Sequence, residues 1–349
     1  MQHGNFGNTE PPNGPVMAKA RHAAPKSRFR TWALRSAKIL VVAVLMIWIV
    51  RNADTESVFS AMRQANLPLV VLALAMQILG AAIMAARWRL LLQVQDVSPS
   101  FAYLFTSTVS AFFFRQFLPS VVGGDAIRSV AAWRAGADPG FAALSLVADR
   151  LFGLLALLLF LIGASFFMMQ IAADLPGLWG GLAAAGAIVG GGLLFLMAPG
   201  SIRLPARTPA KIDRIVRATR VFAGSHRIVP ACLGLSILLQ VNVVTFYWVI
   251  GHALGLEVPY AAYYVIVPIA IFVMMVPFSI NAIGIREVIF IYLLGVWGVD
   301  SDLALAFAWA EFGIILCAGL LGGIVYMTHK MPARTDIERS GAETPANAT

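Results

Sequence analysis

From residue 33 to residue 327 the chain is a succession of apolar runs, each about twenty residues long. They lie near 33–50, 67–86, 101–118, 141–169, 176–198, 228–251, 261–278 and 303–327. Wound as a helix, a run of that length matches the ~30 Å hydrocarbon core of a bilayer. Lipid offers the backbone no hydrogen bonds, and a helix satisfies its own. With 59% hydrophobic and 12% charged residues in 349 positions, little chain is left for anything else. The expectation is an all-α polytopic transmembrane bundle of about eight spans, residues 33–328, between a basic tail (1–32) and a second tail (329–349). A shorter apolar stretch at 286–299 is expected to cross partly or fully.

Charge is distributed as sharply as hydrophobicity. Residues 1–38 carry seven basic residues (Lys19, Arg21, Lys26, Arg28, Arg30, Arg35, Lys38) against Glu10 alone. Residues 203–227 carry seven more (Arg203, Arg207, Lys211, Arg214, Arg217, Arg220, Arg227) against Asp213. Both blocks flank apolar runs, so they read as cytoplasmic anchors and not as nucleic-acid patches. If every run were a full crossing, the second block would lie outside. A re-entrant hairpin at 101–118, which holds Arg115 and ends at Pro119, restores it to the inside together with both termini. Within the block, residues 211–227 alternate basic and apolar positions at helical spacing, as in a helix lying on an anionic leaflet. The two cysteines, Cys232 and Cys317, fall inside apolar runs and read as packing residues, not a disulfide framework.

Two segments break the apolar pattern in the same way. Phe117-Leu-Pro-Ser-Val-Val-Gly-Gly-Asp125-Ala-Ile-Arg128 and Pro277-Phe-Ser-Ile-Asn-Ala-Ile-Gly-Ile-Arg286-Glu287 each place an arginine nine positions after a proline, with turn-forming residues between. A similar continuation follows each: Ala143-Leu-Ser-Leu-Val-Ala-Asp149-Arg150 and Ala304-Leu-Ala-Phe-Ala-Trp-Ala-Glu311. In that alignment Arg150 stands opposite Glu311, so the repeat is expected to be asymmetric in charge. Paired broken segments in two halves of a membrane protein point to an inverted repeat of the transporter kind. The Gly177/Gly181, Gly186/Gly190 and Gly319/Gly323 spacings suit close helix packing.

Ionisable residues at membrane depth need partners or water, and they tend to mark pathways. The set is Arg115, Asp125, Arg128, Asp149, Arg150, Arg286, Glu287 and Glu311. Guanidinium forks suit a phosphate or another anionic group, with the carboxylates holding them in place. Gly123 and Gly124 allow close backbone approach, and a helix starting near Asp125 turns its amide dipoles outward. Asp149 and Arg150 are neighbours on different helix faces, so each is expected to pair with another helix. Arg128 and Arg286 read as ligand-facing, while Asp149 stays open between ligand contact and a structural ion pair. Histidine and cysteine show no metal spacing, and there is no Gly-x-Ser-x-Gly elbow. No enzyme activity, cofactor or metal is expected.

Together these motifs resemble the lysylphosphatidylglycerol synthase transmembrane family over roughly residues 35–328. The signatures are Phe-Leu-Pro-Ser-x2-Gly-Gly-Asp-x2-Arg, the Asp149-Arg150 pair on a long apolar helix, and Ile-Gly-Ile-Arg-Glu. The resemblance implies a flippase-like domain of the bacterial inner membrane, without the soluble aminoacyl-transfer domain of fused members. Carried over by position, it implies Gly123, Gly124, Asp125, Arg128, Asp149, Arg150, Gly284, Arg286 and Glu287 as functional residues. Glu311 departs from the arginine expected in the last helix. The implied partners are membrane lipids with an anionic or zwitterionic headgroup. Three functions follow: a lipid translocase, a scaffold that recruits a soluble lipid-synthesis partner through residues 203–227, or a membrane-embedded lipid-modifying enzyme. The translocase is the leading one.

Overall fold

The computed structural model describes residues 55–117, 123–167, 178–197, 228–275 and 282–328. The expected first span at 33–50, the basic block 203–227, both tails, and the breaks at Pro119 and Pro277 lie outside these residues. The described residues form helices throughout: α1 (Thr55–Gln64), α2 (Leu67–Gln93), α3 (Phe101–Phe117), α4 (Gly123–Arg134), α5 (Pro139–Phe167), α6 (Leu178–Met197), α7 (Val229–Ala253), α8 (Tyr263–Met275), α9 (Ile285–Gly295) and α10 (Ser301–Thr328). Among them α2, α5, α7 and α10 are long and apolar enough to cross a membrane. Helices α3, α4, α8 and α9 are shorter, and they belong to the two broken segments.

Each span position reflects a local cause. Helix α2 starts where the Asn66 side chain accepts from Leu69 N–H and a proline occupies the first turn. The Asn66 N–H donates in turn to the Ala253 carbonyl at 2.8 Å, tying the start of α2 to the end of α7. These two helices run side by side. A Cβ on Gly80 would stand 3.2 Å from Asn242 Nδ2, and that amide donates to the Met76 carbonyl at 3.1 Å. Helices α3 and α10 come closer still. A Cβ on Gly322 would overlap the Val109 carbonyl, and one on Gly323 would lie 2.8 Å from the Phe113 ring. The expected Gly319/Gly323 contact is therefore real, with Gly322 as its tightest point. Gly186 touches Leu158, whereas Gly181 and Gly190 face open space.

The bundle has two ends, each with its own apolar core. One core gathers Leu91, Leu92, Val97, Leu104, Phe141 and Cys232, where α2 ends and α5 and α7 begin. There the Asp138 N–H donates to Gln95 Oε1. The other core gathers Val258, Tyr263, Leu294, Ala304 and Phe307, where α7 ends and α8 and α10 begin. Helix α1, not anticipated from the sequence, packs Val58 on Leu305 and Ala306 at this second end. Large apolar side chains such as Leu67, Val71, Ile188 and Leu320 face outward, as a bilayer solvent requires.

The two broken segments fold as hairpins. In the first, α4 doubles back on α3: the Tyr103 hydroxyl donates to the Ala131 carbonyl at 3.0 Å, and a Cβ on Gly124 would meet the Ala111 carbonyl at 2.9 Å. Its open mouth lies at the first end of the bundle and its tip inside. In the second, α8 and α9 pack together around a turn in which Ala282 and Gly284 take left-handed φ values of 59° and 85°. Tyr263 and Leu294 place that mouth in the core of the second end. The hairpins thus enter from opposite ends.

Candidate functional site

The first hairpin closes on a buried ion cluster. Asp149, near the middle of α5, accepts from Arg87 Nε at 2.7 Å and from both terminal nitrogens of Arg128 at 3.2 and 3.1 Å. Arg87 comes from α2 and donates again to Ser236 Oγ on α7 at 2.7 Å. The Arg128 guanidinium lies 4.5 Å from the centre of the Trp88 ring, and Trp88 Nε1 donates to Ser145 Oγ. Asp149, Arg87 and Arg128 are 1, 3 and 5% exposed. Two guanidinium groups share one carboxylate here, so the cluster keeps an uncompensated positive charge. Removing the carboxylate would leave two buried cations unpaired.

The second hairpin has an analogous pair. Glu311, on α10, accepts from the Tyr247 hydroxyl at 2.9 Å. Its other oxygen lies 3.0 Å from Arg286 Nε at the start of α9. The Arg286 guanidinium sits 4.8 Å from the Phe312 ring. Glu287, next in sequence, turns back to accept the Gly284 N–H at 2.6 Å and so caps α9. In both hairpins the arginine just after the break pairs with a carboxylate on the following long helix. The pairing therefore sets Asp149, not Arg150, opposite Glu311, and the expected charge asymmetry between Arg150 and Glu311 falls away. The one-residue offset in the Ala/Leu alignment misled because a helix face, and not a string match, decides which residue points inward.

A third group is open to solvent. Arg150 pairs with Asp125, with side chains 54% and 25% exposed. Arg115, at the tip of α3, is exposed beside the Phe112 ring and makes no ion pair among the described residues. On α10, the helix that carries Glu311, Gly319 packs against Gln116, the neighbour of Arg115. Gly123 and Gly124 are buried beneath Arg115, Gly124 standing 3.4 Å from Arg115 Cβ by its missing methyl.

All the expected charged residues are therefore gathered around the two tips, but in two settings: Arg128, Asp149, Arg286, Glu287 and Glu311 are buried, while Arg115, Asp125 and Arg150 are accessible. Four members were not anticipated. Arg87 and Trp88 follow an apolar run expected to end at residue 86 and so read as its flank, yet α2 continues to Gln93. Ser236 and Tyr247 lie in an unbroken apolar helix, and no spacing distinguishes them. Cys232 is buried and Cys317 faces outward, both as free thiols.

Compared with known families, the chain matches the one described as Lysylphosphatidylglycerol synthase TM region over residues 35–323. No curated protein matches the chain.

Proposed function

The chain belongs to the lysylphosphatidylglycerol synthase TM region family of multi-pass membrane proteins, and on that premise we propose that it is a lipid translocase. It carries the polar headgroup of a lipid between leaflets while the tails stay in the bilayer. The observation that carries this reading is Arg115: an exposed guanidinium without an ion pair among the described residues, near the inner end of the first of two hairpins that open to opposite ends. A cation held at that depth is costly unless something else shares the space. The buried pairs Arg128–Asp149 and Arg286–Glu311 hold the tips, and Arg115, Arg150 and Asp125 meet the headgroup. Opposed hairpins with an inverted relation are the architecture in which rocking one unit against the other exposes a fixed site alternately. By the positive-inside rule, the basic residues in 1–38 and 203–227 of the sequence support a cytoplasmic first end.

The test is transbilayer movement of fluorescent lipids in liposomes carrying the wild type or Arg115→Ala. Wild type is expected to accelerate movement, and Arg115→Ala to reduce it at least tenfold with unchanged thermal stability. Wild-type vesicles that move no lipid of any headgroup would overturn the reading.

A further inference from the structure

The second end of the bundle holds an open cavity that shares no lining residue with the charged tips. It measures about 590 Å³ and lies between α1, the turn after α7 and the start of α10. That is within the ~300–1,000 Å³ range of small-molecule sites. Ser60 and Gln64 line it from α1, Asn66 from the cap of α2 and His252 from the last turn of α7, while Leu254 and Leu303 supply apolar wall. No Lys, Arg, Asp or Glu belongs to its lining among the described residues.

Much of the polar capacity of this lining is unused. Gln64 Nε2 donates to Ser60 Oγ at 2.9 Å, and the Asn66 side-chain oxygen accepts the Leu69 N–H. The Ser60 hydroxyl proton, the Gln64 carbonyl oxygen and the Asn66 amide nitrogen make no hydrogen bond among the described residues. Neither nitrogen of His252 makes one there, although its ring is held against Trp248 with centroids 5.4 Å apart. Hydroxyl, carboxamide and imidazole side chains each both donate and accept, and so does the hydroxyl of a sugar. An ionised phosphate only accepts and an ammonium only donates, and neither meets a lysine, arginine or carboxylate here.

We propose that this cavity binds a neutral glycosyl group, the chemistry shared by a glycolipid headgroup and a free sugar. The proposal stands apart from the translocase reading and concerns the opposite end of the bundle from the one the basic segments favour as cytoplasmic. Ser60, Gln64, Asn66 and His252 meet the sugar hydroxyls, and Leu254 and Leu303 meet its C–H faces. Leu67 follows Asn66 directly, opens α2 and is 68% exposed. Hydrocarbon therefore begins at the rim of the cavity, and a sugar seated there can keep a lipid tail.

The test is lipid retained by the purified protein in a non-glycosidic detergent, counted by native mass spectrometry. The probes are glucosyl diacylglycerol, glucuronosyl diacylglycerol and diacylglycerol in equimolar mixture. Wild type is expected to retain the glucosyl lipid about tenfold over either of the others. Gln64→Leu, and His252→Phe with its ring kept against Trp248, are each expected to lower that retention about fivefold, the effect of losing one hydrogen bond. Excess methyl glucoside assigns the source: displacement of the glycolipid supports recognition of the sugar alone, and resistance supports the lipid-borne form. Equal retention of the three lipids by wild type would overturn the inference, as would full retention by both variants. Should either variant fold poorly, Ser60→Ala on the short helix α1 takes its place, with the same loss expected. Retention is read without movement, so its failure leaves the translocase reading standing, and a failure of lipid movement leaves this site standing.

Discussion

Adjacent residues in this protein hold very different positions. Asp149 is sealed among three donor groups, and Arg150 one position later is half in solvent. Asp149→Asn should therefore destabilise severely, because Arg87 and Arg128 would both lose their counter-charge; breaking a buried pair costs about 3–5 kcal/mol. Arg150→Ala should cost under about 1 kcal/mol, as exposed pairs do. Thermal unfolding of the two variants in detergent checks the contrast, and equal losses would contradict it. The sequence made the identities of these residues plain, since any charge in such a chain stands out. It did not show which were buried. That depends on which helix face meets which neighbour, and Arg87 illustrates the limit: its carboxylate lies 62 residues away.

Elements were more legible than side chains. The runs at 67–86, 141–169, 228–251 and 303–327 became α2, α5, α7 and α10, with ends within two residues of those expected except that α2 runs seven residues further. Apolar length is enough to announce a span, but its end is masked wherever a helix carries a charge into the interior, as α2 does at Arg87. The short helices α4 and α9 were visible through their glycines. Small residues also set how elements meet, and here the outcome was mixed: Gly322 has a carbonyl against it, whereas Gly234 has nothing within 4 Å. Gly322→Val should force α10 away from α3 and lower the melting temperature by several degrees, corresponding to roughly 1–3 kcal/mol for overpacking. Gly234→Ala should be neutral or slightly stabilising, since it removes backbone freedom from a helix interior. Parallel thermal melts decide between these outcomes.

For the whole molecule, the relation between the two ends is the feature to test. Ser98 lies in the exposed turn beside the mouth of the first hairpin, and Glu257 in the exposed turn beside the second. In a background with Cys232 and Cys317 replaced by alanine, a membrane-impermeant thiol reagent should label Ser98→Cys from the cytoplasmic side only and Glu257→Cys from the opposite side only. Labelling of both from one side would rule out hairpins that open oppositely. Charge parity in the sequence already required one re-entrant segment. The opposed arrangement needed the ties between Asn66 and Ala253 and between Gln95 and Asp138, which join residues far apart in the chain. The buried ion pairs set an order of events during synthesis. In the first hairpin the arginine precedes its carboxylate by 21 residues, so Arg128 emerges from the ribosome ahead of Asp149. An arginine held in lipid without a partner is strongly disfavoured. Neither α4 nor α9 can settle at depth until the next long helix has been made, and the insertion machinery must shelter each half-built hairpin until its closing carboxylate arrives.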